Sequence, residues 1–282
     1  MARLVSREHP WPEPDQRPIA EPVRIATWNV NSIRARKERV LEWLTRQKLP
    51  DIVCLQETKV TDYAFPRREF EDVGYCVTVC GQKTYNGVAI LSRSEPSQVL
   101  SRLAGDSKDP EARFLSVYVA GVHVLCLYVP NGQMVGSEKF AYKRTWLSRV
   151  RHFLDAQCDA GRPLALCGDL NIAPEARDVH DPEGWEDSVL FHPDMRQAFS
   201  ALCEWGLVDT FRLHHAEGKL YSWWDYRQLA FPKNKGLRID HILVTQSLAE
   251  RCTDVAIDRE ARKGKGASDH APVIAAFGDV SG

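Results

Sequence analysis

Gly168-Asp169-Leu170-Asn171 follows the apolar run Pro163-Leu164-Ala165-Leu166-Cys167. A short apolar strand that ends in Asp-x-Asn brings a carboxylate and an amide to the same side of a strand end. Three other strand-like runs end in comparable polar groups: Ile25 to Asn29, Ile52 to Glu57, and Arg238-Ile239-Asp240-His241. A fifth group, Ser268-Asp269-His270-Ala271-Pro272, precedes the last apolar run. Gathered at one sheet edge, Asn29, Glu57, Asp169, Asn171, Asp240, Asp269 and His270 would bind a divalent cation and cleave a phosphate ester.

Each residue type suits a step of that chemistry. A carboxylate emerging from an apolar strand, as Glu57 does, is costly unless it meets a cation, either a metal ion or the side chain of Lys59 or Arg34. Asp169 can hold or deprotonate an attacking water, and the Asn171 amide can donate to a phosphoryl oxygen. A plain Asx turn would use the same two residues without chemistry. His270 needs orientation and a stabilised charge to grip a phosphate, and a carboxylate supplies both. Asp240 is expected in that role, with Asp269 reaching the metal side. His241 should point to the opposite face of a regular strand. His123, His152, His180, His192, His214 and His215 are expected at the surface or satisfied in the core. Tyr128 precedes the turn signal Pro130-Asn131-Gly132 and is expected to present its phenol at the site edge.

Aromatic and basic residues also cluster. Tyr221, Trp223, Trp224 and Tyr226 are followed by Lys233, Lys235 and Arg238, then by Arg259, Arg262, Lys263 and Lys265. Aromatics interleaved with cations suit unstacked nucleotides and phosphates, although core aromatics beside a solvated basic loop would read the same way. The 282-residue chain carries 37 Lys+Arg against 38 Asp+Glu, a net charge of -1, so the basic pI common in nucleic-acid binders is absent. Affinity for a polyanion must therefore come from local patches and a metal.

The elements that position these residues alternate strands with helices from Val23 onward, and one domain over 23–282 is the economical reading. Helices are expected over Arg34 to Lys48, over Ser137 to Ala160 with Ser137 as N-cap and Gly161 as terminator, and over Asp194 to Gly206 with Asp194 as cap. Gly87 to Leu91 reads as a strand covered on both faces. Phe114 to Val119 and Val122 to Val129 flank Ala120-Gly121 as a hairpin. Ala173 to Pro193 reads as a long loop directly after the Asp-x-Asn strand, and such loops are usually functional. Arg24 to Asn31 and Leu164 to Asn171 echo one another, which suggests two related halves, with two sheets face to face and helices outside.

Residues 1–22 carry five prolines among charges and read as an extended or disordered tail, which Trp11 could dock. No run of 18 apolar residues predicts a membrane span. Of the eight cysteines, Cys54, Cys126 and Cys167 sit in apolar strands as small hydrophobes, and Cys76 and Cys80 lack a second pair for zinc. Structural thiols and a cytoplasmic location are expected. Neither Gly-x-Ser-x-Gly nor a P-loop occurs.

Taken together, the segments resemble the exonuclease III family of DNA-repair nucleases within the endonuclease/exonuclease/phosphatase superfamily. They are Trp28 to Ala35, Leu55 to Lys59, Tyr128 to Gly132, Gly168 to Ile172, Tyr221 to Arg227, Gly236 to Asp240 and Ser268 to Pro272, in the family's order. The resemblance implies a four-layer α/β sandwich, two mixed β-sheets packed face to face with helices on the outside. It also implies a monomeric, Mg²⁺-dependent phosphodiesterase, with Mn²⁺ able to substitute. Duplex DNA would be cut 5′ to abasic sites, and 3′ ends would be degraded or trimmed. By motif, Glu57 looks like the principal metal ligand, with Asn29 and Asp269 nearby. Asp169 looks like the water activator and Asn171 the transition-state donor, while Tyr128 and the Asp240–His270 pair position the phosphate. With two ions, Asp169, Asn171 and His270 would also be ligands. DNA contacts would fall to Asn31, Arg34, Lys59, Asn131, Trp223 and Trp224, and the pocket for an abasic sugar to Trp223, Leu237 and Ile239. The alternatives are a catalytically silent nucleic-acid-binding regulator, expected to have lost some of these residues, and a superfamily phosphatase of inositol phosphates or lipids.

Overall fold

Runs such as Ile52-Val53-Cys54-Leu55 are apolar at every position because both faces of their sheet are covered. The computed structural model describes residues 22–46, 50–103 and 109–278. The strands are β1 Val23–Asn29, β2 Ile52–Gln56, β3 Cys76–Cys80, β4 Val88–Ser92, β5 Ser97–Leu100 and β6 Phe114–Val119. They continue with β7 Val122–Tyr128, β8 Leu164–Asp169, β9 Leu207–Asp209, β10 Asp240–Thr245, β11 Cys252–Ile257 and β12 Val273–Phe277. One sheet has the order β11-β12-β1-β2-β4-β3 and the other β5-β6-β7-β8-β10-β9.

The expected four layers are present. Alternate strand residues divide between two apolar zones, as the period of two requires. Ile25, Ile52, Cys54 and Ile90 of the first sheet pack between the sheets against Val117, Val124, Cys126 and Cys167 of the second. On the outer face of the first sheet, Ala26, Val53 and Leu55 meet Ile33, Val40 and Leu44 of helix α1, Ile33–Leu44, and Phe70 of helix α2, Arg67–Asp72. On the outer face of the second, Leu125, Leu127 and Leu166 meet helix α3, Glu138–Gln157, and helix α5, Pro193–Glu204, which follows the short α4, Pro182–Trp185.

Each sheet has a parallel central pair joined by a helix, β1-α1-β2 and β7-α3-β8, and antiparallel strands outside it. By connection and by place in the sheet, β1 therefore corresponds to β7 and β2 to β8. The echo between Arg24 to Asn31 and Leu164 to Asn171 pairs β1 with β8, which this topology does not support. Local sequence likeness reflects the shared task of ending a strand in a polar group, not equivalent position.

The helix ends differ in detail from expectation. Ser32 caps α1, accepting from Ala35 N, and the helix closes at Leu44; the expected end at Lys48 lies outside the described residues, as does the tail over 1–21. Ser137 caps α3 as expected, but the helix stops at Gln157 with Cys158 already extended, before Gly161. His192, not Asp194, caps α5, because Pro193 takes the first helical position, where its missing N–H costs nothing. The long segment 173–193 is not without structure, since it holds α4 and a single 3₁₀ turn at Ala176–Asp178. The hairpin of β6 and β7 is as expected, and all eight cysteines are free thiols.

Candidate active site

The ends of β1, β2, β7, β8 and β10 meet at one edge of the sandwich. In the second sheet, Asp169 sits directly across from both Tyr128 and Asp240 in the strand register. Gly168 makes that alignment possible. A Cβ there would stand 2.0 Å from the Leu127 carbonyl oxygen, so only glycine lets β8 approach β7 just before the site. In the first sheet, Asn29 lies opposite Gln56, which delivers Glu57 just past the end of β2.

Several residues here hold a left-handed backbone: Asn31 at φ 45°, Ser32 at 88°, Glu57 at 52°, Lys59 at 55° and Asn171 at 51°. Such conformations cost energy in non-glycine residues and persist where surrounding structure enforces them, which is common at functional sites. Enforcement comes from the backbone: Ser32 N donates to Glu57 O at 2.7 Å, and Lys59 N to Asn86 O at 2.9 Å.

Asn29 joins the two sheets. Its Nδ2 donates to Glu57 Oε1 at 2.8 Å and to Asp169 Oδ2 at 2.9 Å, while its Oδ1 accepts from Asn31 N at 3.0 Å. The amide nitrogen, not the ligating oxygen, thus faces the two carboxylates. Glu57 is also paired with Lys59 at 2.8 Å, the ion pair foreseen from sequence; Arg34 is exposed and takes no part. Burial pushes the Glu57 carboxyl up, but the Lys59 ammonium and the Asn29 amide bring it to a net position below the usual glutamate value. Lys59 Nζ also donates to Asn31 Oδ1 at 2.6 Å.

Asp169 is buried, and its Oδ1 accepts from Asn171 N at 2.9 Å. The Asx turn and the site geometry are therefore the same feature. Burial raises the Asp169 carboxyl to about 7; His270 pulls it back, while Asp240 and Glu57 push it further up. Asn171 Nδ2 donates to Val129 O at 3.0 Å, and its Oδ1 accepts from Asn131 Nδ2 at 3.2 Å. Half-buried Tyr128 faces Glu57 and Asp169, and burial plus those two charges raises its phenol well above the usual tyrosine value.

His270 Nδ1 lies 2.9 Å from Asp240 Oδ2 and 3.1 Å from Oδ1, and its Nε2 stands 3.8 Å from Asp169 Oδ2. Burial works against the imidazolium, but the carboxylates of Asp240 and Asp169 overcome it and raise His270 to about 10. Ser222 Oγ donates to Asp240 Oδ2 at 2.6 Å and accepts from the backbone N–H groups of Ile239 and Asp240. His241 does point the opposite way: its Nε2 is 2.8 Å from Ile172 O, and its Nδ1 accepts from Arg238. The final strand is tied to the first by Ser268 Oγ donating to Asn29 O at 2.7 Å and Trp28 Nε1 donating to His270 O at 3.1 Å.

Asp269 accepts from Asn31 Nδ2 and from Trp223 Nε1, each at 3.0 Å. Half-buried Trp223 is thus a rim residue directly beside the polar cluster. Trp224 has no accessible surface and belongs to a separate apolar cluster with Tyr221 and Ala230, so the expected DNA contact through Trp224 is corrected. Leu237 and Ile239 are also buried, at 0% and 1% exposure; they pack in the core beneath Trp223 and present no open pocket wall.

The basic patch needs a second correction. Arg238 is buried and bonded to Asp178 at 2.6 Å and Asp209 at 2.8 Å, because a cation carried into the interior between two core residues must be neutralised there. Arg262 is buried over the Tyr226 and Phe231 rings. Lys233, Lys235, Lys263 and Lys265 remain exposed, as do Arg34 and Asn131.

Sequence reasoning missed Ser222, Arg113 and Lys143. Arg113 lies 4.7 Å over the Tyr128 ring and pairs with Glu111. Lys143 sits on the apolar stripe of α3, where a charge among core positions was the available signal. Burial lowers its ammonium to about 7.

One group of three potential ligand atoms within 4.8 Å of one another comes from Asp169, Asp240 and His270. Asp240 is spoken for, since both its oxygens face the His270 ring and Ser222 donates to one of them. Glu57, joined to Asp169 through the Asn29 amide, adds carboxylate oxygen to this group, and oxygen donors fit a hard divalent cation better than a thiophilic one.

Residues 26–270 match the Endonuclease/Exonuclease/phosphatase family. Exodeoxyribonuclease III of Haemophilus influenzae is 36% identical over 267 residues, spanning 90% of this chain and 100% of its own length. An AP endonuclease from Archaeoglobus fulgidus superimposes with a TM-score of 0.88 at 43% identity, covering 90% of this chain and 99% of its own. A 3′ phosphatase from Neisseria bound to product DNA hairpin gives 0.87 at 41% identity, with 90% and 99% covered. With these motifs arranged around one buried acidic cluster, the chain belongs to the endonuclease/exonuclease/phosphatase family, among the homologues of exodeoxyribonuclease III.

Proposed function

We propose that the protein is a Mg²⁺-dependent DNA-repair phosphodiesterase that incises duplex DNA 5′ to abasic sites and also acts at 3′ ends by exonuclease or end-trimming cleavage. The observation that carries the reading is the buried Asp240–His270 pair held against Asp169, with Glu57 reached through the single amide of Asn29. The relatives named as exodeoxyribonuclease III and AP endonuclease, and the neighbour that holds a DNA hairpin, support a DNA substrate.

Glu57, with Asn29 and Asp269 nearby, would hold the cation, and Asp169, Asn171 and His270 would join if a second ion binds. A bound divalent cation supplies positive charge to the phosphoryl oxygens. The remaining work belongs to the chain. Asp169, raised toward neutrality by burial, accepts a proton from the attacking water. His270, kept protonated by Asp240, places an N–H and a positive charge toward the phosphoryl oxygens. Tyr128, whose phenol stays protonated at neutral pH, serves as a donor at the rim, and Asn171 has a second amide hydrogen beyond the one bonded to Val129. Trp223 stands at the rim where an extruded sugar would lie, and a base-free sugar pays least to leave the stack.

The test is incision of a duplex oligonucleotide with one abasic analogue, run beside recessed and 3′-phosphate duplexes. Cleavage with Mg²⁺ or Mn²⁺ that EDTA abolishes is expected. Tight DNA binding with no cleavage under either metal would instead identify a silent regulator on this fold.

A further inference from the structure

Lys143 is the one wholly buried lysine among the described residues. It lies on α3 between Phe140 and Leu147, where a packed apolar side chain would cost far less than an ammonium. The three donors of a lysine ammonium are all used, and all on backbone carbonyls. Nζ donates to Asn171 O and to Val189 O, each at 2.7 Å, and to Asn131 O at 3.1 Å. No ion pair with a carboxylate accompanies them among the described residues.

The three carbonyls come from three different loops. Asn131 belongs to the turn after β7, the strand that carries Tyr128. Asn171 follows Asp169 at the end of β8. Val189 lies in the segment 173–193. Two further contacts show that the turn is built around this side chain. A Cβ on Gly132 would stand 3.0 Å from Lys143 Cδ, and Ser137, the cap of the same helix, donates to Gly132 O at 3.2 Å. Asn131 and Asn171 also bond to each other through their side chains at 3.2 Å.

We infer that Lys143 is a positioning residue for the reaction: its ammonium clamps the Tyr128 turn, the Asp169–Asn171 turn and the 173–193 loop into one rigid unit, and so aims the Asn171 and Asn131 amides. The inference rests on the nuclease reading above. The carbonyl that Lys143 holds belongs to the same residue as the amide that bonds Val129 O and Asn131, so a shift of that peptide would displace the amide and strain both bonds. A small error of aim at the reacting groups costs rate without removing any group that touches substrate.

The experiment compares the full-length protein with Lys143→Met and with Leu147→Ala, which removes a core side chain one turn along the same helix. Melting temperature, kcat and KM on the abasic duplex with Mg²⁺, and amide hydrogen exchange over 130–135 and 171–192 are measured. Lys143→Met is expected to lower kcat by ~10- to 100-fold with KM little changed, and to lose exchange protection in both segments. Leu147→Ala, although destabilised, is expected to keep kcat below its melting temperature. Should Lys143→Met fail to fold, Lys143→Gln, which retains two N–H donors, is expected to fold with an intermediate kcat. Wild-type kcat in a folded Lys143 variant, or an equal loss in Leu147→Ala, would overturn the inference. Absence of cleavage by the wild-type protein would instead reject the nuclease reading, and the exchange comparison would still decide whether Lys143 clamps the loops.

Discussion

Asn29 ends a strand of one sheet and Asp169 ends a strand of the other, yet Asn29 Nδ2 lies 2.9 Å from Asp169 Oδ2 across 140 residues of sequence. The same nitrogen reaches Glu57 Oε1 at 2.8 Å. One neutral amide therefore bridges a buried and a partly buried carboxylate, and the site spans both halves of the sandwich. Since neither half holds a full set of groups, activity should require both to be intact.

Asp169→Asn removes the proton acceptor while keeping the shape of the side chain. Its kcat is expected to fall at least ~10² below wild type. Affinity for the abasic duplex should persist, as measured by anisotropy in Ca²⁺. Wild-type turnover would refute Asp169 as the group that handles the water's proton.

The second test concerns the charge of His270. Asp240 and Asp169 hold its pKa up at about 10 against the cost of burial, so the imidazolium survives through neutral pH and is lost only as pH rises toward that value. Asp240→Asn takes away the nearer carboxylate. Its kcat should fall by ~10² or more, and the alkaline limb of its pH–rate profile should move toward neutrality. An alkaline limb that stays where the wild type has it would contradict Asp240 as the group that keeps His270 charged.

The Trp223 side chain bonds to the cluster through Asp269, and its backbone pairs with His270. Trp223→Ala should weaken abasic selectivity more than it weakens metal-dependent 3′-end cleavage. A single-turnover comparison on abasic and recessed duplexes measures this. Equal losses on both would contradict its place at the sugar pocket.

Acid should unfold the protein through buried histidines that take no part in the chemistry. Burial holds both His123 and His241 down at about 4, with Arg238 adding to the effect at His241. Both are neutral when folded and readily protonated when unfolded. Their contribution is present above the ordinary histidine value of 6.5 and is lost as pH falls from there toward 4. A displacement of that size corresponds to roughly 3 kcal/mol per residue at the acid end. Urea midpoints at pH 7 and pH 4.5 measure the loss, and His123→Leu should flatten the slope. An unchanged slope in that variant would show that His123 is protonated as easily inside as outside.

The amino-acid sequence alone carried the strand-ending polar groups, the apolar strands that need cover on both faces, and the pairing of His270 with Asp240, while the four-layer arrangement followed from the family resemblance. These are local or chemical facts: period, residue type, and the need of a buried histidine for a counter-charge. Only the tertiary structure decided which aromatics and cations face solvent. Trp224 and Arg238 read as nucleic-acid contacts beside Trp223 and Lys235, but packing buries them, because exposure depends on distant partners such as Asp178 and Asp209. The same holds for β1 matching β7 and for Lys143, whose three carbonyls come from loops that converge only when both sheets have closed. Strand ends can be read along a chain, but which groups meet is set by packing across it.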